Sequence, residues 1–222
     1  ERLGRSCTGD QPCILDHGLA YLHHDHSLTV RDLEQRNVHL IVAVGQDPAD
    51  RIRSGHRRRL DRRAMDRLPN QVYCKHFATA DDFVSAYARQ TPEAVAATRG
   101  GQRWVLPVTS TYLNGNDPRT RIVWLRLSHM DRDWGRLVGP RAPPLALRCN
   151  ASSSQSLDDT RAHLSRTSRR WIASHFHDDV QLWNRIEQAA SSSPGLLVTN
   201  GRGEVCPLQH HSQNDMRADV YT

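Results

Sequence analysis

The sequence contains one lysine, Lys75, among 30 lysine and arginine residues. Its positive charge is therefore carried almost entirely by arginine, with a net charge of +6 and a pI of about 9.4. Arginine is suited to bidentate contacts with phosphate and sulfate groups, although a genome rich in G and C produces the same bias without any functional cause. The charge favours an anionic partner over a cationic one.

Long hydrophobic runs are also missing. Hydrophobic residues make up 37% of the 222 residues, mean hydropathy is −0.67, and no run approaches the roughly 18 apolar residues that a membrane span requires. We therefore expect a polar, cytoplasmic protein with one ordinary domain and no membrane span. No signal peptide is recognisable and the first residue is Glu1, so we expect a processed, trimmed or partial chain.

The five cysteines include no C-x-x-C pair. This spacing argues against a zinc ribbon and against a thioredoxin-type site. Cys7 and Cys13 are close enough in sequence for a local disulfide, but an odd number of cysteines decides neither their pairing nor the redox compartment. We expect no metal cofactor.

The clearest local pattern is a short strand that leads into a helix. Residues 38–44 are mostly β-branched, which is typical of a buried strand, and the run stops at Gly45. Asp47 then provides an N-cap and Pro48 a first helical residue, so we expect a basic helix over 47–66. Free backbone N–H groups and the helix dipole suit a phosphate at such a junction, although strand–turn–helix junctions without function are common in α/β domains.

Other predicted strands and helices follow the same alternation. The strands are expected over 13–15 and 122–127, and the helices over 27–36, from 80, from 91 to the Gly100-Gly101 pair, over 129–137, and over 157–190 with a break near Arg169. Few strands separated by helices indicate an α/β fold with a mostly parallel sheet. Residues 140–156 have the composition of a loop, and 191–222 that of a poorly ordered polar tail.

Four segments follow one another in an order that is known from one enzyme family. They are His24-Asp25-His26-Ser27-Leu28, residues 42–54 with Asp47-Pro48, the strand 122–127 with Asp133-Trp134 and Leu137 after it, and the Asn150-Ala151-Ser152 loop with the helix through Trp171 and Trp183. Together they resemble the PAPS-dependent sulfotransferases of the carbohydrate type, close to their bacterial 2-O-sulfotransferase-like branch. The resemblance covers roughly residues 14–190.

This resemblance implies a P-loop-like parallel sheet flanked by helices, in a domain over residues 1–190 that is followed by the tail 191–222. It implies transfer of a sulfuryl group from PAPS (3′-phosphoadenosine-5′-phosphosulfate) to a hydroxyl of a carbohydrate or similar acceptor. His26 would be the general base, with His24 as the second candidate. The residues at the nucleotide would be Gln46, Arg51 and Ser54 near the 3′-phosphate, and Asn150 and Ser152 in a loop that closes over it.

The sequence departs from the family pattern in two places. No segment matches the Pro-Lys-x-x-x-Thr-Ser loop that wraps the 5′-phosphosulfate, so we expect the domain to be incomplete at its N-terminus and the chain as given to show no transfer. Gln46 stands where the family has an arginine before Asp-Pro. Because the glutamine side chain is neutral, it cannot make the charge-assisted contact to the 3′-phosphate that the arginine makes in the family, a contact worth about 1.5–3 kcal/mol.

Alternative interpretations remain open from sequence alone. The chain could be a catalytically inactive sulfotransferase-like scaffold, or its arginines over 51–63 could bind a polyanion or nucleic acid. We do not expect nucleic acid, because no aromatic residues are interspersed with these arginines, and a solvated helix face is the simpler interpretation. His24 and His26 could instead be solvent-exposed histidines, and a metal-binding interpretation also exists, although no clear third and fourth ligands lie at short spacing. Asn150-Ala151-Ser152 is also a glycosylation sequon.

Overall fold

The computed structural model describes residues 13–14, 20–21, 29–60, 73–99, 105, 107–138, 162–192 and 195–206. Within them the chain forms an α/β structure, in which helices flank a small mixed sheet. The helices are α1 (Val30–Gln35), α2 (Pro48–Leu60), α3 (Ala80–Ala88), α4 (Pro92–Arg99), α5 (Val108–Tyr112), α6 (Met130–Val138), α7 (Arg166–His175) and α8 (His177–Ala190).

The main sheet contains three strands in the order β3-β4-β5. β3 (Leu40–Gly45) and β4 (Arg121–Arg126) are parallel and pair along their whole length. β5 (Leu197–Thr199) is antiparallel to β4, so the described sheet is mixed and not mostly parallel as predicted. Two short strands, β1 (Cys13–Ile14) and β2 (Ala20–Tyr21), form a separate antiparallel pair.

β5 lies in the segment for which the sequence predicted a polar tail. All three of its residues are buried against β4, and the indole N–H of Trp124 donates a 2.9 Å hydrogen bond to the Thr199 hydroxyl. A run of three residues is too short to show the alternation from which strands are predicted. Pairing with β4, a contact distant in sequence, is what gives this segment its structure.

Side-chain caps define where several helices begin. Thr29 and Asp32 form a reciprocal capping box at the start of α1, and Thr79 and Asp82 form another at α3. The predicted long helix from residue 157 instead begins at Arg166 in the described part of the chain and breaks at Phe176. The predicted break near Arg169 is therefore wrong.

Each face of the sheet packs against a different helix. On one face Trp124 belongs to a cluster with Leu182 and Ile186 of α8. On the other face Leu125 belongs to a cluster with Trp134 of α6. A further core lies among α2, α3 and α7 and includes all three phenylalanines, which are Phe77, Phe83 and Phe176.

β3 is only half covered, although its composition predicted a buried strand. Leu40, Val42 and Val44 are 42%, 39% and 47% exposed, whereas Ile41 and Ala43 on the opposite face pack in the α8 cluster. β3 is the edge strand of the described sheet, and the α6 cluster covers only β4 and β5. Composition alone does not distinguish a strand buried on one face from a strand buried on both.

A buried ion pair connects the end of β4 to α6. The Arg126 guanidinium donates two 2.8 Å hydrogen bonds to the Asp133 carboxylate, which also accepts the Arg126 backbone N–H. The two side chains are only 7% and 1% exposed. Burial alone would raise the pKa of Asp133, but the hydrogen bonds from Arg126 outweigh it and lower that pKa below its ordinary value. The carboxylate therefore stays charged at neutral pH.

We expect Asp133→Asn to destabilise the protein by about 3–5 kcal/mol, because the substitution removes the more buried of the two carboxylates that pair with Arg126. The measurement is urea unfolding at neutral pH. Asp131→Asn is the matched control, since Asp131 is an exposed carboxylate on the same helix and should cost less than about 1 kcal/mol. Equal losses in the two variants would contradict a structural role for the pair.

Candidate functional site

The junction between β3 and α2 is the predicted phosphate site. Asp47 caps α2 as expected, and its carboxylate accepts the backbone N–H groups of Ala49 and Asp50 at 2.7 and 3.2 Å. Pro48 has no N–H, and the Arg51 N–H already bonds to the Asp47 carbonyl. The expectation of free first-turn N–H groups is therefore wrong at these positions, because the N-cap itself occupies them.

The side chain of Asp179 connects three helices beside this junction. It lies in the first turn of α8 and accepts hydrogen bonds from the Arg51 guanidinium of α2 at 2.8 Å and from the Val108 and Thr109 backbone N–H groups of α5 at 2.8 and 2.9 Å. The Thr109 hydroxyl also donates to it. Pro107, the N-cap of α5, makes no side-chain capping bond, so Asp179 acts as the cap of α5 from another helix.

A small cavity lies between the end of β3 and α8. Its volume is about 40 Å³, and its lining includes Gln46, Arg51, Asp179 and Trp183. This volume holds roughly three water molecules. A Cβ at Gly45 would lie 2.7 Å from Ile186 Cδ1, so a glycine here allows the strand end to approach α8 closely.

The three predicted nucleotide-binding residues that the structure describes are not equivalent. Gln46 and Arg51 line it. Ser54 is exposed on α2, one turn beyond Arg51, and is not among the lining residues. Arg51 is held by Asp179 and lies 5.6 Å from the centre of the Phe176 ring, so it braces α2 against α8.

The arginines of α2 are not a uniform solvated face. Arg59 is buried and lies 4.5 Å from the centre of the Tyr73 ring. Burial lowers the pKa of its guanidinium below the ordinary value. Arg53 pairs with Asp50 and donates to the carbonyl of Ala162. Arg53 and Arg59, which were expected to be available to a polyanion, therefore make contacts within the protein instead.

The remaining predicted site residues lie outside the described residues. These are His24, His26, Asn150 and Ser152. Over the part of the chain that the structure describes, no three His, Cys, Asp or Glu side chains are grouped so that they could hold a metal ion. None of the helices in that part combines the length and the apolar character needed to cross a membrane.

The sequence interpretation missed Asp179, although its position carried a signal. Asp178 and Asp179 look like a pair of ordinary first-turn carboxylates. However, Asp179 precedes Leu182 by three residues and Ile186 by seven, so helical periodicity places it on the apolar side of α8. A carboxylate at such a position needs partners that are distant in sequence.

We expect Asp179→Asn to cost about 3 kcal/mol in unfolding free energy, since it removes a buried carboxylate that pairs with Arg51 and weakens the cap of α5. The adjacent exposed carboxylate provides the control, and Asp178→Asn should cost less than about 1 kcal/mol. Chemical denaturation of both variants gives the comparison. A loss below 1 kcal/mol for Asp179→Asn would show that these contacts contribute little.

Comparisons with known proteins do not assign the chain to a family. No protein-family model, no curated protein and no solved structure matches it. Any functional assignment therefore depends on the chain's own residues and on how the fold arranges them.

Proposed function

We propose that this protein takes part in sulfuryl transfer from PAPS to a hydroxyl of a carbohydrate or similar acceptor, on a P-loop-like sulfotransferase fold. The observation that carries the proposal is the junction at the carboxyl ends of the parallel strands β3 and β4. There the chain passes through Gln46 and Asp47 directly into α2. In open α/β sheets, ligands bind at the carboxyl ends of the strands.

The 3′-phosphate of the donor would lie beside Gln46 and the first turns of α2. The first-turn N–H groups of Ala49 and Asp50 already bond to Asp47, so side chains must supply the direct contacts. Gln46 offers its amide and Ser54 its hydroxyl. The ion pair with Asp179 holds the Arg51 guanidinium in place, and its positive charge would attract the phosphate.

Sulfuryl transfer requires an acceptor oxygen that loses a proton and a donor held in line with it. Positioning and charge stabilisation supply most of the rate enhancement in the related phosphoryl transfers. In the proposal His26 removes the proton from the acceptor hydroxyl, because a neutral imidazole is a suitable base near neutral pH. The acceptor oxygen then forms a bond to sulfur while the bond from sulfur to the 5′-phosphate oxygen breaks, and adenosine 3′,5′-bisphosphate leaves. An inactive scaffold would keep the same fold and the nucleotide contacts but would lack turnover.

The nucleotide site is tested with adenosine 3′,5′-bisphosphate and calorimetry. We expect Ser54→Ala to weaken its binding by about 1–2 kcal/mol, the range of one hydrogen bond to a charged group. Gln46→Arg should tighten binding, because it adds a cation beside the phosphate. Ser174→Ala, an exposed helical serine on α7, serves as the matched control. Unchanged affinity in both site variants, or no binding by the longest protein that the gene encodes, would refute the assignment.

The catalytic step is tested in the longest protein that the gene encodes, with labelled PAPS and a panel of glycans. We expect His26→Ala to lower kcat by ~10²–10⁴, the usual contribution of a general base, while affinity for the nucleotide stays nearly constant. His24→Ala should cost less, and zinc chelators should have no effect. Wild-type turnover in the His26→Ala protein would remove His26 from the mechanism.

A further inference from the structure

The strand β3 carries a row of uncovered apolar side chains. Four of the six large apolar side chains that are exposed in the described residues lie on this strand or directly before it, namely Val38, Leu40, Val42 and Val44. They occupy alternate positions and therefore form one row on one face of the sheet, which we call the β3 stripe. Within the described residues only β4 pairs with β3, so the stripe lies on an edge strand.

The residues of the stripe also direct their backbone groups away from the sheet. The Arg121 N–H donates a 2.7 Å hydrogen bond to the His39 carbonyl, so the backbone of His39 faces β4. Successive residues of a strand turn their N–H and C=O groups to opposite sides. The backbone groups of Leu40, Val42 and Val44 therefore point to the outer edge, where an added strand can bond to all three residues.

β3 lacks the features that usually keep edge strands apart. Natural edge strands are protected by charged side chains, prolines or bulges. From Val38 to Gly45 the sequence contains no Lys, Arg, Asp, Glu or Pro, and His39 is its one ionisable residue. An exposed apolar edge of this kind pairs most readily with a strand of the same alternating pattern. A second copy of the chain supplies such a strand.

A second β3 fits this edge in an antiparallel register centred on Val42. With a two-fold axis at this position, Val42 lies opposite its own copy, and Leu40 lies opposite Val44 of the second copy. The outward N–H and C=O groups of all three residues then pair across the axis. Residues that lie opposite each other in an antiparallel pair point to the same face, so the two β3 stripes become one continuous apolar row.

The charges at the two ends of β3 favour the same orientation. Arg36 is exposed just before the strand, whereas Asp47 and the exposed Asp50 follow it at the start of α2. An antiparallel pair places the beginning of each strand beside the end of the other, so unlike charges meet at both ends. A parallel pair would instead bring like charges together.

We propose that two copies of this protein associate through antiparallel pairing of their β3 strands, which extends the described three-stranded sheet across a two-fold axis. β3 has six residues and is about 20 Å long, so its pairing buries less than the roughly 800 Å² per partner of a stable complex. The dimer is therefore reversible and depends on concentration. The pairing is independent of the proposed sulfuryl transfer, because Gln46 and α2 follow the paired residues.

Sedimentation equilibrium of the 222-residue chain over a range of concentrations measures the association. We expect the mass to rise with concentration from 25.2 kDa towards twice that value. Val42→Lys should raise the Kd roughly tenfold or more, because two like charges then lie opposite each other at the axis. The control is Val205→Lys, at an exposed valine outside β3, and it should change the Kd by less than about twofold.

Two further substitutions distinguish strand pairing from packing of one sheet face on another. Val42→Pro removes an N–H that points away from β4, so it should abolish the dimer while circular dichroism shows an intact fold. Val42→Cys should form an intermolecular disulfide on oxidation, because the two Cα atoms at the axis lie about 5.5 Å apart. Val38→Cys should not, because its two copies lie about 26 Å apart in the same register.

Amide hydrogen exchange identifies what occupies the edge. The N–H groups of Leu40, Val42 and Val44 should be protected in the dimer and should lose this protection on dilution. Protection that persists in the monomer would show that another part of the same chain pairs with β3, and it would overturn the proposal. A mass that stays monomeric up to about 1 mM, equal effects of the two lysine substitutions, or a Val42→Pro protein that still dimerises would overturn it as well. Equal cross-linking at positions 38 and 42 would overturn the register.

Discussion

The carboxylate of Asp179 is the contact on which the arrangement of the candidate site depends. It holds the Arg51 guanidinium of α2 and caps α5 through the backbone N–H groups of Val108 and Thr109. A carboxylate buried to this extent is tolerated only because charged and backbone donors surround it. Because Asp179 also lines the cavity beside Gln46, its contacts with α2 and α5 position that part of the proposed nucleotide site.

A second charged contact organises the same end of the sheet. Arg126, the last residue of β4, pairs with Asp133 and reaches Glu187 of α8 at 3.3 Å. It therefore links the sheet to the helix on each face, α6 on one and α8 on the other. Removing one partner of a buried ion pair is strongly destabilising, because it leaves an uncompensated charge in the interior. The two buried pairs, Arg51–Asp179 and Arg126–Asp133, lie near the ends of β3 and β4, where the chain continues into α2 and α6.

Local sequence signals located several elements correctly, and each has a physical reason. Asp47 followed by Pro48 predicted the start of α2, and Pro92 marks the beginning of α4. β4 was predicted from a short apolar run and is found at Arg121–Arg126. In contrast, no proline or glycine marks the break between α7 and α8 at Phe176. Phe176 is instead buried in the core among α2, α3 and α7, which is a tertiary contact.

The sequence by itself determined the polar character of the chain, its α/β class and the strand that leads into α2, because these follow from composition and from contacts within one turn. Tertiary structure decided which charges are free. Arg51 and Arg59 look alike in the sequence, yet one is paired with a carboxylate and the other is buried over Tyr73. It also decided that β5 joins the sheet and that His175 stacks on Trp171. Such outcomes depend on residues far apart in the chain, and no local pattern encodes the distance between them.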